Sequence, residues 1–159
     1  MELILLRHGK AQETSKRGDD ARELVAKGRE QARRAGKLLL HAKALPELVL
    51  TSPLTRAKQT ADEFCEAAEM PGPIVQGWLA CGMGPETALR ELSGFSEFER
   101  VAIVGHEPDL SSLIEYLLGV SAGSVRMKKG ALACVSIHPP ARFGTLRYLI
   151  PPRFDDDLS

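Results

Sequence analysis

Apolar residues fall into short unbroken runs separated by longer stripes of helical period. Leu3 to Leu6 is fully apolar, the pattern of a strand covered on both faces. Leu48-Val49-Leu50 and Val101 to Val104 repeat it. Between the runs, Leu24, Gly28, Ala32, Ala35 and Leu39 recur at helical spacing over 22–41, with Arg29, Glu30, Arg33, Arg34 and Lys37 on the wet side. Leu54, Ala57, Ala61, Phe64, Cys65 and Ala68 form a second stripe that ends before Pro71-Gly72-Pro73. A third stripe runs over 109–118 through Leu110, Leu113, Ile114, Leu117 and Leu118, and Gly119 stops it. Ile74-Val75 reads as a short strand, Trp78 to Pro85 as loop and Glu86 to Leu92 as a short helix. Ala131 to Ile137 and Thr145 to Ile150 are β-like and are expected to pair antiparallel at the end of the sheet. Strand and helix alternate, which predicts a three-layer α/β/α sandwich with a mostly parallel central sheet and an antiparallel edge.

Two local features sharpen this. Gly28 lowers helix propensity by roughly 1 kcal/mol relative to alanine, a cost that a close backbone contact would offset. Ser52-Pro53 predicts a helix start, with serine capping free amides and proline at the first helical position.

The chain's 159 residues suit one domain over 1–152, with 153–159 as a mobile tail whose aspartates are read as solvated. Apolar residues make up 43% and charged residues 26%, with 21 basic against 21 acidic side chains. A net charge of zero argues against non-specific nucleic-acid binding, while leaving room for a local anion site. No signal peptide and no apolar run of about 20 residues is seen, so the expected setting is cytoplasmic, away from membrane. Cys65, Cys81 and Cys134 are odd in number and widely spaced, and are read as reduced thiols.

Unusual polar residues follow directly after three of the apolar runs. These are Arg7-His8-Gly9, then Thr51-Ser52-Pro53 with Arg56, then Gly105-His106. Carboxyl ends of strands form the ligand crevice of open α/β sheets, so these segments are expected to converge. Arginine offers a planar fork of donors for phosphate or carboxylate oxygens. Arg56 falls in the first turn of its helix, where free amides also favour an anion. The set reads as an oxyanion pocket. A metal centre is not expected, because arginines repel a cation and the usual three or more ligands are missing. Neither a P-loop nor a dinucleotide-binding glycine motif is present, and no cofactor is expected.

Arg7-His8-Gly9 after an initial strand resembles the signature of the histidine phosphatase, or phosphoglycerate mutase-like, superfamily. Ser52 to Thr60 is similar to that family's second motif, and Val104-Gly105-His106-Glu107-Pro108 to its third. The segment from Leu24 to Ala32 matches its first helix, and the resemblance covers roughly residues 2 to 150. The short chain leaves little room for a capping insertion and most resembles the SixA-type phosphohistidine phosphatases.

That resemblance implies a phosphoglycerate mutase-like fold and dephosphorylation of a phosphohistidine on a protein, typically a histidine phosphotransfer domain, with inorganic phosphate as product. It makes His8 the nucleophile, through a phosphohistidine intermediate. Arg7, Arg56 and His106 would hold the non-bridging oxygens, with Gly9, Ser52, Glu107 and Lys10 completing the substrate-binding set. Cationic neighbours should disfavour protonation of His8, and activity is expected to fall below an apparent pKa within about pH 5 to 8. Many larger relatives place a glutamate acid where this chain reads Ile74-Val75-Gln76-Gly77-Trp78. Glu107 is the candidate to orient the pocket or handle a proton, while Glu86 and Glu91 are read as ordinary helix or surface residues. Lys10 either strengthens anion attraction or faces solvent. Lys128 and Lys129 either rim a protein-substrate surface or form a plain turn, and Trp78 lines a rim or fills a core edge. The expected state is monomeric. Alternatives are a broader phosphomonoesterase with the same His8 chemistry and a non-catalytic phosphate-binding domain.

Overall fold

The structure is a computed structural model describing residues 1–153. Of the expected tail, 154–159 lie outside the described residues. The strands are β1 (Glu2–Arg7), β2 (Leu48–Thr51), β3 (Ile74–Val75), β4 (Arg100–Gly105), β5 (Leu132–Ile137) and β6 (Gly144–Ile150). The helices are α1 (Ala26–His41), α2 (Thr55–Ala67), α3 (Pro85–Ser93) and α4 (Asp109–Leu118), with short 3-10 turns at Asp19–Ala21 and Gly77–Leu79.

One six-stranded sheet has the order β3-β2-β4-β1-β5-β6. β3, β2, β4 and β1 are mutually parallel. β5 pairs antiparallel with β1, and β6 with β5, giving the expected antiparallel edge.

Alternation along β1 divides the core into two layers. Leu3 and Leu5 pack with Leu50, Ile103, Leu92, Leu110 and Leu113, on the side of α3 and α4. Ile4 and Leu6 pack with Val49, Ala102, Leu39 and Phe64, on the side of α1 and α2. A strand whose successive side chains are all buried must be covered on both faces, which is why these runs are continuously apolar. Each large aliphatic or aromatic side chain buried this way stabilises the fold by about 1.5–3 kcal/mol. The result is the three-layer α/β/α sandwich of the phosphoglycerate mutase-like fold.

Two boundaries differ from expectation. α1 begins at Ala26, because the residues before it pair with the loop that follows β1. The Gln12 amide donates to the Glu23 carbonyl at 2.8 Å and the Val25 amide to the Lys10 carbonyl at 3.0 Å, so Leu24 is buried in extended backbone. α2 begins at Thr55, and Ser52 does not act as its cap. Trp78 is half-buried and packs at the edge of the α3–α4 core, the blander of its two readings. Among the described residues no helix is long and apolar enough to cross a membrane.

Candidate active site

Because β1, β2 and β4 are parallel neighbours, their carboxyl ends open on one edge of the sheet. Arg7 pairs with Gly105, and Thr51 with Val104. The residues that follow are therefore His8, Ser52 and His106, and backbone bonds extend the register to them. The His8 amide donates to the Gly105 carbonyl at 3.1 Å, and the Ser52 amide to the Val104 carbonyl at 3.0 Å. The convergence expected from topology is present.

His8 and His106 are both buried, with ring centroids 5.4 Å apart. His8 Nδ1 lies 2.8 Å from the Gly9 carbonyl oxygen. A carbonyl only accepts, so this contact assigns the ring proton to Nδ1 and leaves the lone pair on Nε2. Nε2 has no hydrogen-bond partner among the described residues. The Gly9 amide donates to Thr60 Oγ1 at 3.0 Å, and that hydroxyl donates to the Arg56 carbonyl at 2.7 Å. Thr60 thus ties the loop after His8 to α2. Sequence reasoning missed this role, although Thr60 sits one turn after Arg56, where the same helix face recurs.

His106 Nε2 lies 2.7 Å from Ser52 Oγ, which also accepts from the Leu54 amide at 3.2 Å. With Ser52 donating its hydroxyl proton to Nε2, His106 carries its own proton on Nδ1. That Nδ1 is buried and has no partner among the described residues, and the same holds for Arg7 Nε and Arg56 Nε. Arg7, Arg56 and His106 all act electrostatically on His8, so these side chains gather at one strand edge.

The arginines are anchored elsewhere. Arg7 Nη1 donates to the Met127 carbonyl at 2.8 Å. Arg56, buried in the first turn of α2, donates through Nη1 to the Asp19 carbonyl at 3.0 Å. Its Nη2 lies 3.4 Å from Asp19 Oδ2 and 3.7 Å from Cys81 Sγ. Asp19 was not a candidate, and nothing in the sequence around it announces the contact.

Burial pushes the His8 imidazole down to about 3, and repulsion from His106, Arg56 and Arg7 adds to the fall; the Gly9 bond opposes it. Burial and Arg56 lower His106 to about 4. Both rings are therefore neutral near pH 7.

The other candidates are placed as follows. Glu107 accepts from the Ser111 amide at 2.9 Å and from the Ser111 hydroxyl, so both its oxygens are engaged in the first turn of α4. This geometry suits orienting the His106 segment. The Lys10 backbone is held by Gln31 Oε1 at 2.9 Å while its side chain is exposed beside Arg7. Gln76 Oε1 accepts from Trp78 Nε1 at 2.9 Å. Cys65 and Cys134 are buried free thiols and Cys81 is an exposed one. Among the described residues, no group of three His, Cys, Asp or Glu side chains is placed to hold a metal ion.

A family model for the histidine phosphatase superfamily (branch 1) matches residues 3–86. An uncharacterised protein from Picosynechococcus is 32% identical over 136 residues, covering 83% of this chain and 82% of the relative. The adenosylcobalamin/alpha-ribazole phosphatase of Escherichia coli K12 is 26% identical, covering 94% of this chain and 95% of its own. Among solved structures, the protein histidine phosphatase SixA complexed with tungstate shares the fold, with a TM-score of 0.85 at 24% identity and 100% coverage of both chains.

Proposed function

The chain belongs to the histidine phosphatase superfamily, and on that premise we propose that it is a protein phosphohistidine phosphatase working through a covalent phosphohistidine on His8. Superfamily membership makes it a metal-independent phosphatase; the substrate class and the residue roles are our reading. The observation that carries the reading is the Gly9 carbonyl on His8 Nδ1, which leaves Nε2 as an unprotonated nucleophile beside Arg7, Arg56 and His106.

His8 Nε2 attacks phosphorus in line, forming a P–N bond as the P–N bond of the substrate breaks. Arg7, Arg56 and His106 donate to the non-bridging oxygens, over which charge spreads during transfer. The departing imidazole takes its proton from solvent. Water then attacks the phosphorylated His8, releasing inorganic phosphate and restoring the free ring.

Two features favour a phosphohistidine. Gln76, where larger relatives place an acid, has no carboxylic proton to give, and its amide oxygen is bound to Trp78. An imidazole is a good leaving group once protonated, whereas an alkoxide needs a positioned acid. The connection from β3 to α3, residues 76–84, holds only the turn at Gly77–Leu79, so no capping insertion stands there to enclose a small substrate. The likeness to the Escherichia coli alpha-ribazole phosphatase over nearly the whole chain favours a second reading, a small-molecule phosphomonoesterase with the same His8 chemistry.

A substrate panel separates them. The protein is expected to strip a phosphorylated histidine phosphotransfer domain far faster than aryl or sugar phosphates. Efficient phosphomonoester hydrolysis with the phosphorylated domain left intact would overturn the reading.

A further inference from the structure

Next to the His8 site the surface turns strongly cationic. Arg7 contributes to one wall of a cleft whose other basic lining residues are Lys10, Lys27, Arg126, Lys128 and Lys129. They come from separate stretches: the loop after β1, the first turn of α1, and the segment leading into β5. That last segment is fixed to the nucleophile strand, because the Gly130 amide reaches the Arg7 carbonyl at 3.1 Å and the His8 carbonyl at 3.2 Å. Beyond Gln31 and Pro152 the surface continues into a depression lined by Lys27, Glu30, Arg34 and Arg153.

Glu30 pairs with Arg34 at 3.1 Å and with Arg153 at 3.4 Å. Lys10, Lys27, Arg126 and Lys129 have no carboxylate at ion-pair distance among the described residues. The Lys129 ammonium is held below its ordinary value by burial and by repulsion from Arg7, Arg22 and Lys10, against a smaller opposing pull from Glu13. In a chain whose formal charges cancel, 21 against 21, this is a local surplus.

The geometry also selects the partner. A single small anion would need donors converging on one point from fixed positions. Here, Arg7 apart, the cations are mostly exposed side chains on long stems spread along a strip, which suits attraction of a broad negative face. Single-stranded nucleic acid would call for stacking aromatics, and none lines either depression.

We propose that this strip is a docking surface for an acidic face of the phosphoprotein substrate, beside the phosphohistidine delivered to His8. The proposal rests on the phosphohistidine reading above. Docking of this kind steers encounter and sets register, so it acts on KM and on salt dependence, and leaves the chemistry at His8 alone.

The test uses a phosphorylated histidine phosphotransfer domain with an acidic face beside its histidine, and phosphoramidate as a small P–N substrate. The double variant Lys27→Glu/Arg126→Glu is expected to raise KM for the domain about tenfold or more and to flatten its salt dependence. Phosphoramidate hydrolysis should stay within about twofold of wild type, which also reports that the variant folds. Lysines placed on the acidic face of the domain should restore its KM with the variant. An unchanged KM for the domain, or an equal loss on phosphoramidate, would overturn the docking surface and leave the phosphohistidine reading standing. An oligonucleotide that competes with the domain as well as free acidic domain does would also overturn it. Wild-type enzyme that hydrolyses phosphoramidate but not the domain would remove the protein-substrate reading and the docking surface together.

Discussion

A Cβ atom on Gly28 would stand 2.0 Å from the carbonyl oxygen of Lys10, and one on Gly9 would stand 2.4 Å from the carbonyl oxygen of Gly28. The loop that carries His8 therefore crosses the first turn of α1 in direct backbone contact. Gly28→Ala gains roughly 1 kcal/mol of helix propensity but forces the two backbones apart, at a cost of about 1–3 kcal/mol. The expected outcome in urea unfolding is a net loss of stability. Because the displaced segment begins next to His8, phosphoramidate turnover should fall about tenfold or more.

Ser52 supports His106 more than it supports α2. Ser52→Ala removes the partner of His106 Nε2 at 2.7 Å and the acceptor of the Leu54 amide at 3.2 Å. Leaving buried polar groups unpaired costs about 1–3 kcal/mol, to be read from denaturant midpoints. A loss in kcat larger than any change in KM is expected, since His106 is asked to donate mainly to the transition state.

Arg56→Ala should lower kcat by about 10²–10³-fold, the range for removing one preorganised oxyanion donor. Arg56→Lys should rescue little, because an ammonium cannot reproduce the planar fork. Inorganic phosphate should raise the melting temperature of wild type and do so much less in Arg56→Ala.

His8 at about 3 and His106 at about 4 both lie well below the ordinary histidine value. On that basis kcat/KM for phosphoramidate should show no histidine-linked loss over about pH 5 to 8, once the substrate's own ionisation is accounted for. Stability follows the same groups. As pH falls, the unfolded chain takes up these protons first, so the contribution is complete above about 6.5 and is lost from there down towards the folded values. Each histidine can contribute a slope of up to about 1.4 kcal/mol per pH unit in that range, seen as falling urea midpoints. His106→Asn should flatten the slope.

Much of this was legible in the sequence. Continuous apolar runs identified the strands buried on both faces, and polar residues just past Leu6, Leu50 and Val104 located the site. Parallel pairing of β1, β4 and β2 then brought His8, His106 and Ser52 together. Gly28 stood out as an unfavourable helix residue, and the close approach to Lys10 explains it. What stayed hidden depends on tertiary choice. Ser52-Pro53 carries a sound helix-start signal, but His106 offers the serine a buried partner and the helix starts later, at Thr55. Leu24 fits the helical stripe, yet its segment pairs with the Ala11 loop. Asp19 reaches Arg56 from 37 residues away, a separation at which local pattern carries no information.

The most direct test of the account is to trap the intermediate. Brief reaction with phosphoramidate or a phosphorylated phosphotransfer domain, quenched under alkaline conditions and mapped by mass spectrometry, should place phosphate on His8. His8→Ala should carry none and should show no turnover. Full activity in His8→Ala, or a phosphorylated residue other than His8 in the wild type, would contradict the central claim.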